Sequence, residues 1–263
     1  MTRGRLSAQA PGGEAQSWDP VRYARNAGFV AALGEALIDL LKPLPGQRIL
    51  DLGCGDGALT EKLAATGATV VGVDASEAQV AAARARGLDA WVMDGQALGF
   101  DGEFDGVLSN AALHWMLRPD AVIDGVWRAL RPGGRFVAEM GGAGNVTKIT
   151  RALVAALDRR GIDGRAALPW YFPTADQQRR RLAARGFEVL AAELFPRPTP
   201  LPGDVTAWLE TFAESFTNRL PEAERPGFLR EVATALAPEL RDAAGTWIAD
   251  YVRLRFIALK PAF

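Results

Sequence analysis

Ile49-Leu50-Asp51-Leu52-Gly53-Cys54-Gly55-Asp56-Gly57-Ala58 decides how this chain folds. An apolar run closed by Asp and glycines reads as a strand turning tightly into a helix. Gly53 permits the turn, and Gly55 leaves bare backbone that a ligand can approach. The segments around it follow the same rhythm. RILDLG (48–53) precedes a helix over 58–66, TVVGVD (69–74) precedes one over 77–86, and LDAWVMD (88–94) and FDGVLSN (104–110) follow. A helix starting near Pro119 and GRFVAEM (134–140) complete the series. Short apolar strands alternating with amphipathic helices predict a parallel sheet covered on both faces.

Three carboxylates fall at successive strand ends: Asp51, Asp74 and Asp94. In an open α/β sheet those ends line the ligand crevice. The run Gly53-x-Gly55-x-x-Ala58 formally satisfies the dinucleotide fingerprint, so a nicotinamide oxidoreductase is one reading. The charges oppose it. A diphosphate at a helix N-terminus wants positive potential, whereas Asp51 and Asp56 flank this turn and would welcome an ammonium or a sulfonium. S-adenosylmethionine carries both and no phosphate. Asp74 can accept from ribose hydroxyls with either cofactor. Asp94 can accept from an adenine amino group while Met93 packs on the ring. A strand-end Asp is otherwise a helix cap.

ILDLGCGDG, VVGVDAS, WVMDGQAL, FDGVLSNAALHW and ALRPGGRFVAE together resemble the successive motifs of the class I S-adenosylmethionine-dependent methyltransferases, over residues 45–140. SNAALHW and the N-terminal helix are similar to the trans-aconitate and malonyl-carrier-protein methyltransferase branch. The resemblance implies an α/β, Rossmann-like, mostly parallel sheet of seven strands, its last strand antiparallel, with helical cap insertions; WIADYVRLRFIAL (247–259) is the candidate last strand. It places Asp51, Gly53 and Gly55 against the methionine part of the cofactor and Asp74 at the ribose. Ala75 lies beside the adenine, with Asp94 and Gly95 completing that pocket, and Asn110 and Ala111 close the fourth strand. That branch commonly carries Gln where this chain has His114.

The expected organisation is a disordered tail over 1–17 and one methyltransferase domain over 18–263. Within it, 18–44 is an N-terminal cap helix, 45–141 the cofactor-binding core, and 142–175 and 203–245 cap insertions. The helix rests on Val21, Phe29, Val30, Leu33, Leu37, Ile38 and Leu41, close to a 3.6 period.

The acceptor side is less regular. Trp18, Tyr23, Trp170 and Tyr171 are candidate cavity walls, with Trp208 and Trp247 read as core. His114 and Trp115 follow the fourth strand and point toward the transferred methyl. His114 serves either as a general base or as a wall. Arg22, Arg25, Lys148 and Arg151 are candidate roof cations for an acceptor carboxylate. The expected activity is methyl transfer to a carboxylate or hydroxyl oxygen of a small molecule, with nitrogen or carbon acceptors as the alternative. A non-catalytic ligand-binding protein on the same fold is a remoter one.

Composition agrees with a small acceptor. Thirty basic against thirty-one acidic residues in 263 leave no field to draw nucleic acid or an anionic membrane. One cysteine and one histidine rule out a disulfide framework and make a zinc site implausible, so no metal is expected. The first residues lack the apolar stretch of a secretory signal, and the reading is a cytoplasmic enzyme of undetermined oligomeric state.

Overall fold

The computed structural model describes residue 16 and residues 18–262. The tail reading for 1–17 therefore lies outside the described residues, apart from Gln16. In chain order the elements begin with α1 (Pro20–Ala27), α2 (Phe29–Leu41), β1 (Arg48–Leu52), α3 (Ala58–Ala64), β2 (Thr69–Asp74), α4 (Glu77–Ala85) and β3 (Ala90–Val92). They continue with β4 (Phe104–Asn110), α5 (Pro119–Ala129), β5 (Leu130–Gly141), α6 (Thr147–Asp158), α7 (Ala175–Arg185) and β6 (Glu188–Pro196). The chain closes with β7 (Thr199–Pro200), α8 (Val205–Phe212), α9 (Glu214–Thr217), α10 (Arg225–Leu240), β8 (Ile248–Ala249) and β9 (Val252–Leu259).

Seven strands form one sheet in the order β3-β2-β1-β4-β5-β9-β6. The strands β1 to β5 pair in parallel, and β9 runs antiparallel between β5 and β6. The sheet is the Rossmann-like one expected, antiparallel last strand included. Chain order reverses between β1 and β4, both of which leave that line in opposite directions, so a crevice opens beyond their carboxyl ends. On one face Leu37 and Leu41 of α2 and Leu59 and Leu63 of α3 bury against Ile49, Leu108 and Val137. On the other, Val122 and Val126 of α5 and Leu182 of α7 bury against Leu50, Leu52, Phe136 and Phe256. Helices α6, α8 and α10 make a third core of their own around Leu153, Trp208, Phe216 and Phe228. It sits beyond the strand ends, through Val146, Ala249 and Tyr251.

The structure corrects two boundaries. The single N-terminal helix is two helices that meet at Gly28, one of two glycines in the segment; the other, Gly34, stays inside α2. Asp19 caps the first of them, accepting from the N–H groups of Val21 (2.9 Å) and Arg22 (3.1 Å). The run 247–259 is likewise not one strand. Ile248–Ala249 forms β8, which pairs with β7 of the proline-rich connector in a two-stranded ribbon, and only 252–259 joins the main sheet. Among the described residues no helix is long and apolar enough to cross a membrane.

Candidate functional site

The glycine loop leaves β1 along β2: Gly53 and Cys54 both donate to the Val73 carbonyl, at 2.8 and 3.0 Å. Gly53 and Gly55 both have positive φ, +79° and +55°, yet their surroundings differ. A Cβ at Gly53 would lie 2.1 Å from that of Ala112, whereas one at Gly55 would meet nothing within 4 Å. Gly53 is glycine for packing, and Gly55 has an open face. Ala111, across the crevice, holds a left-handed φ of +55° that a side chain rarely adopts. Its N–H is tied to the Glu139 carbonyl at 2.8 Å.

The three strand-end carboxylates differ in kind. Asp51 is 2% exposed, and its Oδ2 accepts from Thr60 Oγ1 at 2.7 Å. Burial pushes its carboxyl up to about 6, partly offset by the Thr60 hydrogen bond, with the nearby Asp74 charge adding to the rise. Asp74 is also held above the ordinary carboxylate range by burial. Its two oxygens accept from Gly55 N–H (3.0 Å) and Ser76 N–H (2.9 Å), which locks the glycine loop to the end of β2. Asp94 is exposed and caps a short turn, accepting from Gln96 N–H at 2.8 Å, with Arg118 3.6 Å from its other oxygen. The cap reading thus describes part of what Asp94 does. Asp56 pairs with Arg86 at 3.1 Å, so its charge is compensated and the electrostatic case against a diphosphate rests on Asp51 and Asp74.

Around them, Ala75 is exposed and Met93 half-buried. Gly95 is buried where a Cβ would strike Leu52 at 2.8 Å, so close packing explains that glycine. Asn110 ends β4 and donates to the Val30 carbonyl at 3.0 Å, fastening α2 over the crevice.

The aromatic residues separate into two groups. Trp115 meets Trp18 edge-on at 4.9 Å and Trp170 at 5.8 Å, and Phe212 closes on both Trp18 and Trp115. Trp170 stacks on Phe172 at 5.8 Å. Tyr171 belongs elsewhere: its hydroxyl accepts from Arg181 Nε at 3.1 Å, and its ring packs into the core under α5 and α7. It is removed from the wall: next to Trp170 in sequence, it turns instead toward α7. The side chain of Tyr23 lies outside the described residues. Trp208 and Trp247 are core, 4% and 7% exposed. Of the roof cations, Lys148 and Arg151 are bound to Glu239 of α10, through its carbonyl and its carboxylate.

His114 is buried, and the Gly141 N–H donates to its Nδ1 at 3.2 Å. Burial, and then the nearby Arg253 charge, lowers the imidazole to about 3. The ring is therefore neutral with its lone pair on Nδ1 occupied, and the proton sits on Nε2. The general-base reading fails on that geometry. His114 is a hydrogen-bond donor. Sequence reasoning did not reach Thr60, Gly141, Phe172 or Arg253; only the arginine, a charge in an otherwise apolar strand pattern that also carries Arg255, left a signal.

A profile described as a methyltransferase domain matches residues 50–138. An uncharacterized methyltransferase of Schizosaccharomyces pombe is 40% identical over 256 residues, covering 92% of this chain and 98% of its own length. A trans-aconitate 2-methyltransferase of Deinococcus radiodurans is 36% identical over 127 residues, covering 47% of this chain and 49% of its own. Among solved structures, a phosphoethanolamine N-methyltransferase 2 of Haemonchus contortus, bound to phosphomonomethylethanolamine and S-adenosylhomocysteine, superposes with a TM-score of 0.59 at 20% identity. That likeness covers 92% of this chain and 57% of the other, and it speaks to the fold alone.

Proposed function

The chain belongs to the S-adenosylmethionine-dependent methyltransferases, and from that premise we propose that it methylates a carboxylate or hydroxyl oxygen of a small molecule. The crevice suits the cofactor: the open face of Gly55 admits it to bare backbone, and the buried Asp51 carboxylate gains most from a cationic neighbour. We assign Asp51, Gly53 and Gly55 to its methionine part and Asp74 to the ribose. Ala75, Met93, Asp94 and Gly95 frame the adenine, and Asn110 and Ala111 floor the site. When bound, the cofactor supplies a methyl group on a cationic sulfur, which passes to an acceptor lone pair while the carbon–sulfur electrons remain on sulfur.

One observation favours the carboxylate among these acceptors. The imidazole on the acceptor side holds its lone pair against Gly141 and has no capacity to take a proton. An amine or phenol would want that help; a carboxylate arrives already ionised and needs only alignment and a dry wall. Trp18, Trp115 and Trp170 supply the wall. The near balance of charge supports a small acceptor over a polyanion, and a single buried cysteine suits the reducing cytoplasm.

The test is transfer from methyl-labelled S-adenosylmethionine to a set of small acids and phenols, followed by mild alkali. Label released as methanol from acids is the expected result. Label that survives alkali on nitrogen or carbon would overturn the reading.

His114 gives a second test. Gln keeps a neutral acceptor and donor, so His114→Gln is expected to hold kcat within about tenfold. His114→Ala should lose roughly 100-fold, as for removal of one placed donor. With cofactor saturating, kcat should stay level between pH 6 and 8. A general base of ordinary pKa would instead lose about tenfold per unit below it.

A further inference from the structure

A threonine inside a helix usually turns its hydroxyl to the carbonyl four residues back, as Thr211 and Thr234 do at 2.7 and 2.9 Å. Thr60 stands in the first turn of α3, where no helical carbonyl lies four residues back, so its hydroxyl is free for another partner. It is 1% exposed, and its Oγ1 donates to Asp51 Oδ2 at 2.7 Å. That bond spans the glycine loop, from the first turn of α3 to the end of β1.

The two buried strand-end carboxylates are held in different ways. Asp74 accepts from two backbone N–H groups, of Gly55 and Ser76, and no side-chain substitution removes them. Among the described residues Asp51 has one donor, Thr60, and its Oδ1 is left with none. The titratable groups that face Asp51 are Asp74 at the end of β2 and the Cys54 thiol in the loop, which burial pushes up and keeps neutral. Asp56, next along the loop, is compensated by Arg86.

The last torsion of an aspartate is broad, so a carboxylate that nothing holds samples many directions. One oxygen fixed by a short hydroxyl bond leaves the other as a single directed acceptor. The same bond favours the ionised carboxylate, which is the form a cationic ligand needs.

We propose that Thr60 is a positioning residue for the cofactor: its hydroxyl holds Oδ2 of Asp51, so that Oδ1 meets the ammonium of the methionine part. The role rests on the assignment of Asp51 to that part. The hydroxyl then matters to a ligand that carries the ammonium and is indifferent to one that lacks it.

The experiment is calorimetric titration of the full chain with S-adenosylhomocysteine and with 5′-methylthioadenosine, which keeps the adenosine and the thioether but has no amino-acid end. Thr60→Val keeps the branched shape without the hydroxyl and should weaken S-adenosylhomocysteine about tenfold at pH 7, as for loss of a hydrogen bond to a charged group. Its affinity for 5′-methylthioadenosine should be unchanged, and Thr60→Ser should restore S-adenosylhomocysteine binding. On acidification, S-adenosylhomocysteine affinity should begin to fall at higher pH in Thr60→Val than in the wild type, because the lost bond is the one that opposes the proton on Asp51. In an Asp51→Asn background, Thr60→Val should have little further effect on S-adenosylhomocysteine, since the two residues act as a unit. Thr60→Ala carries the test if the Val variant does not fold. Equal losses for the two ligands, or an unmoved pH profile, would make Thr60 a purely structural residue and overturn the proposal. Unaltered S-adenosylhomocysteine affinity in the Thr60 variants, with a loss in Asp51→Asn, would overturn it and keep the cofactor assignment. Unaltered affinity in Asp51→Asn as well would overturn both.

Discussion

Asp51→Asn is expected to weaken S-adenosylmethionine binding about 100-fold while raising the melting temperature of the free protein at neutral pH. The two effects share one cause. Asp51 is enclosed at the end of β1 with a single side-chain hydrogen bond, from Thr60, and burial holds its carboxyl at about 6 against an ordinary 3.8. In the free protein the group binds its proton more tightly folded than unfolded. Its contribution to stability is therefore greatest below pH 4 and is lost as pH rises from about 4 to 6. At pH 7 the loss amounts to roughly 3 kcal/mol at most, since each pKa unit is worth about 1.4 kcal/mol. Asn retains an acceptor for Thr60 without the charge, so thermal melts should show a stabilised variant at pH 7 and near equality at pH 4. A cationic ligand reverses the balance by lowering the carboxyl again. Wild-type affinity should accordingly fall by up to tenfold for each pH unit below 6, and binding near pH 5.5 should release a proton. Titrations in buffers of different ionisation enthalpy measure that proton. Unchanged affinity in the Asn variant would remove Asp51 from the cofactor site.

The second large effect is a contrast between two glycines two residues apart. Gly53→Ala should cost several kcal/mol of folding stability, because both a φ of +79° and a 2.1 Å approach to the Ala112 Cβ oppose the added methyl. Neither atom is the end of a flexible chain. Gly55→Ala meets no protein atom within 4 Å and should cost only about 1 kcal/mol, for the left-handed backbone. Its effect should fall on binding instead, with S-adenosylmethionine affinity reduced at least tenfold because the methyl occupies space left to the ligand. Denaturant melts and calorimetry on the pair separate the two. If Gly55→Ala binds as tightly as wild type, the open face above that residue is not where the cofactor lies.

Much of this was written in short-range pattern. Buried parallel strands are apolar runs cut off by Gly and Asp, so β1, β2 and β4 and the crevice at their ends follow from local chemistry. The break at Gly28 did not, because apolar residues keep helical spacing on both sides of it. Side-chain direction was lost where regular structure stops: Trp170 and Tyr171 are adjacent, yet one joins the wall and the other turns to Arg181. Pairings between distant segments were equally hidden. Arg86 compensates Asp56 from 30 residues away. His114 shows the cost of reasoning from residue type alone, since a free imidazole titrates near neutrality and this one is held neutral by burial and by the nearby Arg253 charge, while its Nδ1 accepts from a backbone N–H 27 residues on. Arg253 was visible only as a charge in an apolar strand. What it faces depends on the antiparallel register with Gly141, a long-range property of the sheet.

The most direct measurement is calorimetric titration of the purified protein with S-adenosylmethionine, S-adenosylhomocysteine and NAD under identical conditions, repeated with Asp51→Asn. The two adenosyl ligands should bind the wild type with one site each, NAD should not bind, and the S-adenosylmethionine signal should collapse in the variant. NAD binding that improves when the Asp51 charge is removed would contradict the assignment of the crevice.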